Sequence, residues 1–287
     1  MLQAWVGDEL VPVDAARISV FDRGFRAGEG VFETLRAYGD HPFRLTAHLD
    51  RAHHGAATLG FEPPTHDALA DAIRSTVAAN HPIIGGDSAV RLTVTPGAVD
   101  PASPHPGRGV DGPTVVVTVA PLEVDDRAYA DGVSATAVPW ARELPHVKAL
   151  SYLAASMARR EAHAEGAHEA LLTDDDGHVL EGASSNVFAV VRGRLVTPPA
   201  TGRLLAGVTR SVVLEVAADL ALPVHERPLT LTELATVDEA FLTASTREVV
   251  PLVRAAGRRI GTGRPGPMTR SIHEGYRAAV RREIAGS

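Results

Sequence analysis

One residue type is almost absent from this chain, and its single occurrence is one that could do covalent chemistry. Of 28 Lys and Arg residues, only Lys148 is a lysine; every other side-chain cation of these two types is an arginine. A guanidinium stays protonated, whereas a partly buried lysine amine can lose its proton, attack a carbonyl and form a Schiff base. Lys148 follows an extended stretch containing Val138-Pro139-Trp140 and Pro145 and precedes a predicted helix. A strand-to-helix junction of this kind holds a reactive group at a fixed angle. Composition alone leaves open that Lys148 is an accidental survivor.

Two more stretches could serve such an amine. In Val179-Leu180-Glu181-Gly182-Ala183-Ser184-Ser185-Asn186 an acid stands between an apolar strand and a patch of small polar residues; the plainer reading is a strand-end Glu in solvent. In Ala206-Gly207-Val208-Thr209-Arg210 a glycine and a hydroxyl residue open a helix. Backbone N–H groups at such a start, with the Thr hydroxyl, make a phosphate cradle, or simply an ordinary N-cap. Other motifs fall away. Gly107-Arg108-Gly109-Val110-Asp111-Gly112 has the letters of a dinucleotide fingerprint but precedes a strand instead of opening a helix, so it reads as a loop. The 13 histidines, His48 and His53-His54 among them, form no metal-ligand spacing. Ser184-Ser185 lacks the G-x-S-x-G elbow of a serine nucleophile, and Arg159-Arg160-Glu161 reads as a solvated helix face.

Periodicity supplies the elements that must position these residues. Leu2 to Val6 and Leu10 to Val13 read as a hairpin about Gly7-Asp8, residues 22–30 as a glycine-punctuated loop, and Val31 to Tyr38 as a strand. Helices are predicted over 45–59 and 67–79, and strands over 89–95 and 114–120. Residues 121–131 are polar and acidic and read as a linker, so the domains are expected at 1–120 and 132–287. The second half alternates strands at 133–138, 169–173, 179–180, 186–191, 195–196, 239–243 and 249–260 with helices at 152–164, 209–220 and 268–284. The fold class is mixed α and β: a small N-terminal α/β domain and a larger, β-rich C-terminal domain with helices.

Composition bounds the function. At 287 residues and 45% hydrophobic content the chain can bury a substantial core, and no apolar run reaches membrane-spanning length. The N-terminus lacks a signal peptide's basic start, and the absence of cysteine excludes thiolate chemistry and fits the cytoplasm. A net charge of -7 argues against nucleic acid as the main partner.

Taken together, the segments resemble the class IV aminotransferases, pyridoxal-phosphate enzymes of fold type IV. The resemblance runs from Asp22-Arg23-Gly24 and Gly28-Glu29-Gly30-Val31-Phe32-Glu33 through His48-Leu49-Asp50-Arg51, Lys148 and Glu181-Gly182-Ala183-Ser184-Ser185-Asn186. It continues through Gly207-Val208-Thr209-Arg210, Thr243-Ala244-Ser245-Thr246-Arg247-Glu248 and Gly266-Pro267-Met268-Thr269. It implies that Lys148 holds pyridoxal 5'-phosphate as a Schiff base and moves the substrate proton. Glu181 would keep the pyridine nitrogen protonated, a contact worth about 5 kcal/mol at ~3 Å and an effective dielectric of ~20, before desolvation. Arg51, Val208, Thr209 and Ser245 would bind the phosphate. Ser184 would contact the cofactor, and Tyr152 its phenolic oxygen.

Within the family, the Lys148-to-Tyr152 segment is one residue shorter than in branched-chain enzymes, and Ala89 stands where those usually carry a substrate-facing Tyr. Both features resemble the D-amino acid aminotransferase and aminodeoxychorismate lyase subgroup, although Phe32 and Arg36 differ from the residues common in D-amino acid enzymes. Thr34 matches the lyase. Carboxylate partners for a substrate are Arg36 and Arg91 on strands, or His105 and Arg108 on a loop, with Phe32, Thr34 and Thr246 as further substrate contacts. The implied activity is transamination from a D-amino acid, extending to (R)-primary amines, to a 2-oxo acid in a homodimer. The lyase, a branched-chain L-amino acid aminotransferase and a non-catalytic carrier of the cofactor are the alternatives.

Overall fold

A computed structural model describes residues 1–102 and 112–286, and the chain divides into two compact units. The first comprises Met1–Glu123 together with Val147–Ser151; the second comprises Val124–His146 and Tyr152–Ser287. The sequence suggests one crossing within 121–131. Instead the chain crosses at 123/124 and then lends five residues, Lys148 among them, back to the first unit. The expected linker is itself partly ordered, containing helix α4 (Asp126–Ala130) capped by Asp125.

The first unit contains β1 (Gln3–Val6), β2 (Glu9–Pro12), α1 (Arg23–Ala27), β3 (Val31–Tyr38), β4 (His41–Pro42), α2 (Leu45–Thr58), α3 (His66–Ile84), β5 (Ser88–Thr95) and β6 (Thr114–Pro121). Its strands form one antiparallel sheet in the order β2-β1-β6-β5-β3-β4. Alternation along β3 sends Val31, Glu33, Leu35 and Ala37 to the same face of the sheet. Val31, Leu35 and Ala37 join a core built with Leu45, Leu49 and Ala52 of α2 and Leu69, Ile73 and Val77 of α3. The other face presents Phe32, Thr34 and Arg36, with Ala89, Arg91 and Thr93 of β5 beside them in register. The loop expected at 22–30 contains a helical turn. Asp22 caps it by accepting from Gly24 N, and Gly28 ends it in the left-handed region. Likewise α3 extends beyond the predicted 79, through Pro82, and stops at left-handed Gly85.

The second unit continues with β7 (Val133–Val138), α5 (Leu153–Ala164), β8 (Glu169–Thr173), β9 (His178–Gly182), β10 (Asn186–Val191), β11 (Arg194–Thr197) and α6 (Val208–Asp219). Then follow β12 (Val224–Glu226), β13 (Leu229–Thr230), α7 (Leu231–Leu234), β14 (Glu239–Ala244), β15 (Glu248–Ala255), β16 (Arg258–Arg259) and α8 (Pro267–Ala285). The strands make one mixed sheet in the order β12-β11-β10-β14-β15-β7-β8-β9-β13, with β16 paired to β15. Val187, Ala189, Leu171, Leu242, Val250 and Leu252 lie in its main core. No helix among the described residues is long and apolar enough to cross a membrane.

Backbone pairing explains why residues 147–151 belong to the first unit. Phe32 N donates to Lys148 O at 2.9 Å, Leu150 N donates to Gly30 O at 2.9 Å, and Val31 pairs with Ala149. Gly30 permits this. Its φ is +149°, and a Cβ there would stand 2.6 Å from the Val94 carbonyl oxygen and 2.9 Å from Leu150 Cδ1. Gly30→Ala is therefore expected to destabilise the protein by about 1–3 kcal/mol, read as a lowered urea midpoint. It should also slow reaction of the Lys148 amine with pyridoxal phosphate, followed by absorbance. Unchanged values for both would show that the pairing does not hold Lys148.

Candidate active site

In the first unit Lys148 is half-buried, and its Nζ lies 4.6 Å from the centroid of the Phe32 ring. The Arg91 guanidinium carbon stands 3.9 Å from the same centroid, although Arg91 itself is exposed. Thr34 is opposite Arg91 in the β3–β5 register. Thus Lys148, Phe32, Thr34 and Arg91 form one group on the face of the sheet opposite α2 and α3. Arg36 shares that face but is engaged elsewhere: its Nε and Nη2 donate to Asp87 Oδ2 at 3.1 and 2.7 Å. His105 and Arg108, with most of the Gly107–Gly112 stretch, lie outside the described residues.

On the opposite face, under α2, Glu33 is fully buried. Its carboxylate takes Arg51 Nε at 2.8 Å and Nη2 at 2.6 Å, and His48 Nδ1 lies 2.7 Å away. His48 and Arg51 are three residues apart on α2 and so meet the same acid. Arg51 is therefore no solvated helix-face charge. Burial pushes the Glu33 carboxyl upward, but Arg51 and then His48 outweigh it and hold it at about 2 instead of 4.5. Burial pushes the His48 imidazole below its ordinary 6.5, against the pull of Glu33. Sequence reasoning reaches Arg51 and misses its partners, although Glu33 alternates with three apolar core positions.

In the second unit Glu181, at 5% exposure, is held from both sides. Arg142 donates to its Oε1 through Nε at 3.1 Å and through Nη2, and Leu205 N donates to Oε2 at 3.2 Å. Arg142 is also tied to the Pro145 carbonyl at 2.7 Å. Sequence reasoning misses this arginine; its one signal is its place in the extended stretch leading to Lys148. Tyr152 sits at the N-terminal boundary of α5 and donates its hydroxyl proton to the Ala183 carbonyl, two residues from Glu181. Burial raises its pKa. Ser184 directs its hydroxyl to Glu169 at 2.8 Å, which leaves its backbone as the group to offer a ligand. Ser245 and Thr246 lie half-buried in the turn between β14 and β15.

The start of α6 has the chemistry of an anion site. Gly207 is the N-cap and so offers no side-chain cap, and Val208 and Thr209 are 7% and 4% exposed. Buried N–H groups at a helix start require a partner, and an anion is the natural one. Asn186 fixes the approach: its Nδ2 donates to Leu205 O at 2.9 Å, and a Cβ on Gly207 would meet its Oδ1 at 2.0 Å. Thr243, opposite Asn186 in the sheet, also has a buried hydroxyl with no hydrogen-bond partner. Within the second unit, a helix start and an anchored carboxylate suit a phosphate and a pyridine nitrogen; within the first, a lysine amine beside an aromatic ring suits an aldehyde.

Comparison with known proteins agrees. The family model described as Amino-transferase class IV matches residues 30–255. A putative branched-chain-amino-acid aminotransferase of Methanocaldococcus jannaschii is 35% identical over 280 residues, 96% of each chain. A D-alanine aminotransferase of Bacillus licheniformis is 33% identical over 270 residues, 93% of each. Among solved structures, a T.th. branched-chain amino acid aminotransferase with pyridoxamine 5'-phosphate has a TM-score of 0.87 at 31% identity. That likeness covers 97% of this chain and 94% of the other.

The Glu33 network sets an acid limit. Unfolding returns Glu33 to 4.5 and His48 to 6.5, so the unfolded chain binds more protons than the folded one and stability falls as pH falls. The loss begins below 6.5 through His48 and continues from 4.5 down to about 2 through Glu33. The Glu33 part amounts to about 3 kcal/mol. Urea midpoints measured across this range should decline less steeply for His48→Asn in the upper part and for Glu33→Gln in the lower. Parallel profiles for wild type and both variants would show that the network carries no proton linkage.

Proposed function

The chain belongs to the class IV aminotransferases, and on that footing we propose that its amino donor is a D-amino acid and its acceptor a 2-oxo acid. The cofactor is pyridoxal 5'-phosphate, whose protonated ring draws electrons from the substrate Cα–H bond. Lys148 would hold it covalently, Glu181 would keep the ring nitrogen's proton, and Arg51, Val208, Thr209 and Ser245 would hold the phosphate. Once the substrate amine has taken its place, the freed Lys148 amine would move the proton from the substrate Cα to the cofactor's C4′ carbon.

One observation supports an amino acid donor over a simple amine: Lys148 and Arg91 share the Phe32 ring. The ring that meets the reactive amine thus also meets a guanidinium, the group that pairs with a substrate carboxylate. Arg91 is assigned that role because it stands over the ring that Lys148 also meets. The D configuration is read from Ala89 and from the Lys148-to-Tyr152 spacing. (R)-primary amines are slower donors in this reading because they bring no carboxylate to Arg91. A branched-chain L-amino acid is the second reading, favoured by the name of the M. jannaschii relative.

The working form is a homodimer in the cytoplasm. Val13, Ile18, Val20, Phe21 and Phe25 are 44, 48, 65, 37 and 68% exposed within one short segment of the first unit. A second copy of the chain is the partner that would cover them.

Titration of the purified, cofactor-loaded enzyme tests the donor. D-Alanine should convert the bound cofactor's absorbance to that of the amine form, and pyruvate should restore it. A response to L-leucine alone would overturn the D-amino acid reading, and pyruvate release without any acceptor would indicate the lyase. Arg91→Gln should raise KM for D-alanine about tenfold or more, as loss of a charged hydrogen bond does. Lys148→Ala should lower turnover by about 10³-fold.

A further inference from the structure

Two turns of the second unit carry residues assigned above to the cofactor and substrate: the turn after β9, with Ser184, and the turn between β14 and β15, with Ser245 and Thr246. Both are tied to one oxygen atom. Glu169, the first residue of β8, is 1% exposed. Its Oε2 accepts from Ser184 Oγ at 2.8 Å, Ser185 Oγ at 3.1 Å and Arg247 Nη2 at 2.6 Å. The same Arg247 nitrogen donates to Ser184 Oγ at 2.9 Å, closing a ring of contacts between the turns.

The far side of the second turn is fixed separately. Tyr129 Oη donates to the Arg247 carbonyl at 2.9 Å. The next residue, Glu248, has a left-handed φ of 55° and is 1% exposed. Its Oε2 lies 2.6 Å from His273 Nε2 and accepts from Arg277 Nε at 2.9 Å. A strained, buried residue therefore holds one end of the turn, and the remaining freedom of Ser245 and Thr246 is removed at Arg247.

We propose that Glu169 and Arg247 are positioning residues that lock these two turns together, so that the groups the turns present to phosphate and substrate stand at one fixed separation. The proposal rests on the reading of Ser184, Ser245 and Thr246 as ligand contacts. Charge is essential to it. Three donors on a single oxygen suit an anion, and a neutral amide oxygen holds them more weakly. Arginine is equally specific, because one nitrogen serves both Glu169 and Ser184 while the rest of the planar fork remains oriented. A buried ion pair that served only to stabilise the fold would leave the ligand constants alone.

The test uses Glu169→Gln, Arg247→Ala, Arg247→Lys and the double variant E169Q/R247A, all as cofactor-loaded enzyme. Hydrogen exchange of residues 182–186 and 244–248 and the separate KM and kcat for the amino donor are measured. Either Glu169→Gln or Arg247→Ala should speed exchange in both turns about tenfold and raise KM by a similar factor, with kcat nearly unchanged. The double variant should add little to either single one, because the two residues act through one contact. Arg247→Lys should recover part of the protection. If Arg247→Ala loosens only residues 244–248, or Glu169→Gln loosens neither turn, the lock is overturned. Joint loosening with an unmoved KM would instead sink the assignment of these turns to ligand binding, which separates the two failures.

Discussion

The placement of the reactive amine depends on a short stretch of backbone pairing. Lys148 lies in five residues that leave the second unit's sequence and join the edge of β3 through two hydrogen bonds and one bridge. A lysine on a free loop would sweep its amine through many rotamers. Paired to β3, its backbone is fixed, and its side chain meets the Phe32 ring that the same strand supplies. The pairing in turn requires a residue without a side chain at position 30, because β5 approaches too closely for a Cβ. Local backbone permissiveness, strand register and the location of the chemistry are thus a single constraint.

Buried carboxylates are the second organising feature. Glu33, Glu181, Glu169 and Glu248 are each at most 5% exposed, and each meets an arginine: Arg51, Arg142, Arg247 and Arg277. An isolated buried carboxylate is costly, and a pair offsets that cost only when further donors occupy the remaining lone pairs. Here they do: His48, Leu205 N, two serines and His273 complete the four sites. A planar, permanently charged fork suits such acids.

Much of this is legible in the linear order, and the gaps have physical causes. Strong periodicity places β3, β7, β8 and β10 at the observed residues, because apolar alternation is local information. The short elements β4, α4, β12, β13 and α7 escape it; two to five residues carry too little pattern to rise above their surroundings. Lys148 stands out by its type and Glu181 by its place after an apolar strand, whereas Arg51 is reached only through the family resemblance. Their partners do not stand out. Arg142 meets an acid 39 positions away and Arg247 one 78 positions away, distances at which nothing in the linear order signals contact. The return of residues 147–151 to the first unit is hidden for the same reason: composition marks where a chain is polar, not which strand edge awaits it.

The helix starts show how the fold separates structural from chemical duties. Asp22, Thr65, Asp125 and Thr230 cap α1, α3, α4 and α7 through their side chains, and Glu239 accepts from Met268 N and Thr269 N at the start of α8. The first residue of α5, Leu153, is exposed, as is Thr46 in the first turn of α2, so water reaches the donors there. At α6 the N-cap glycine offers no side chain, and Val208, Thr209 and Arg210 are buried. A sequence that caps its other buried helix starts does not lack the means to cap this one; an Asp or Ser at 207 is the ordinary solution. Glycine there, packed against Asn186, keeps the donors bare and the approach rigid. In the proposed reading the lost cap is a local cost, offset when the cofactor phosphate takes those donors, which would couple the stability of the second unit to occupancy of its site.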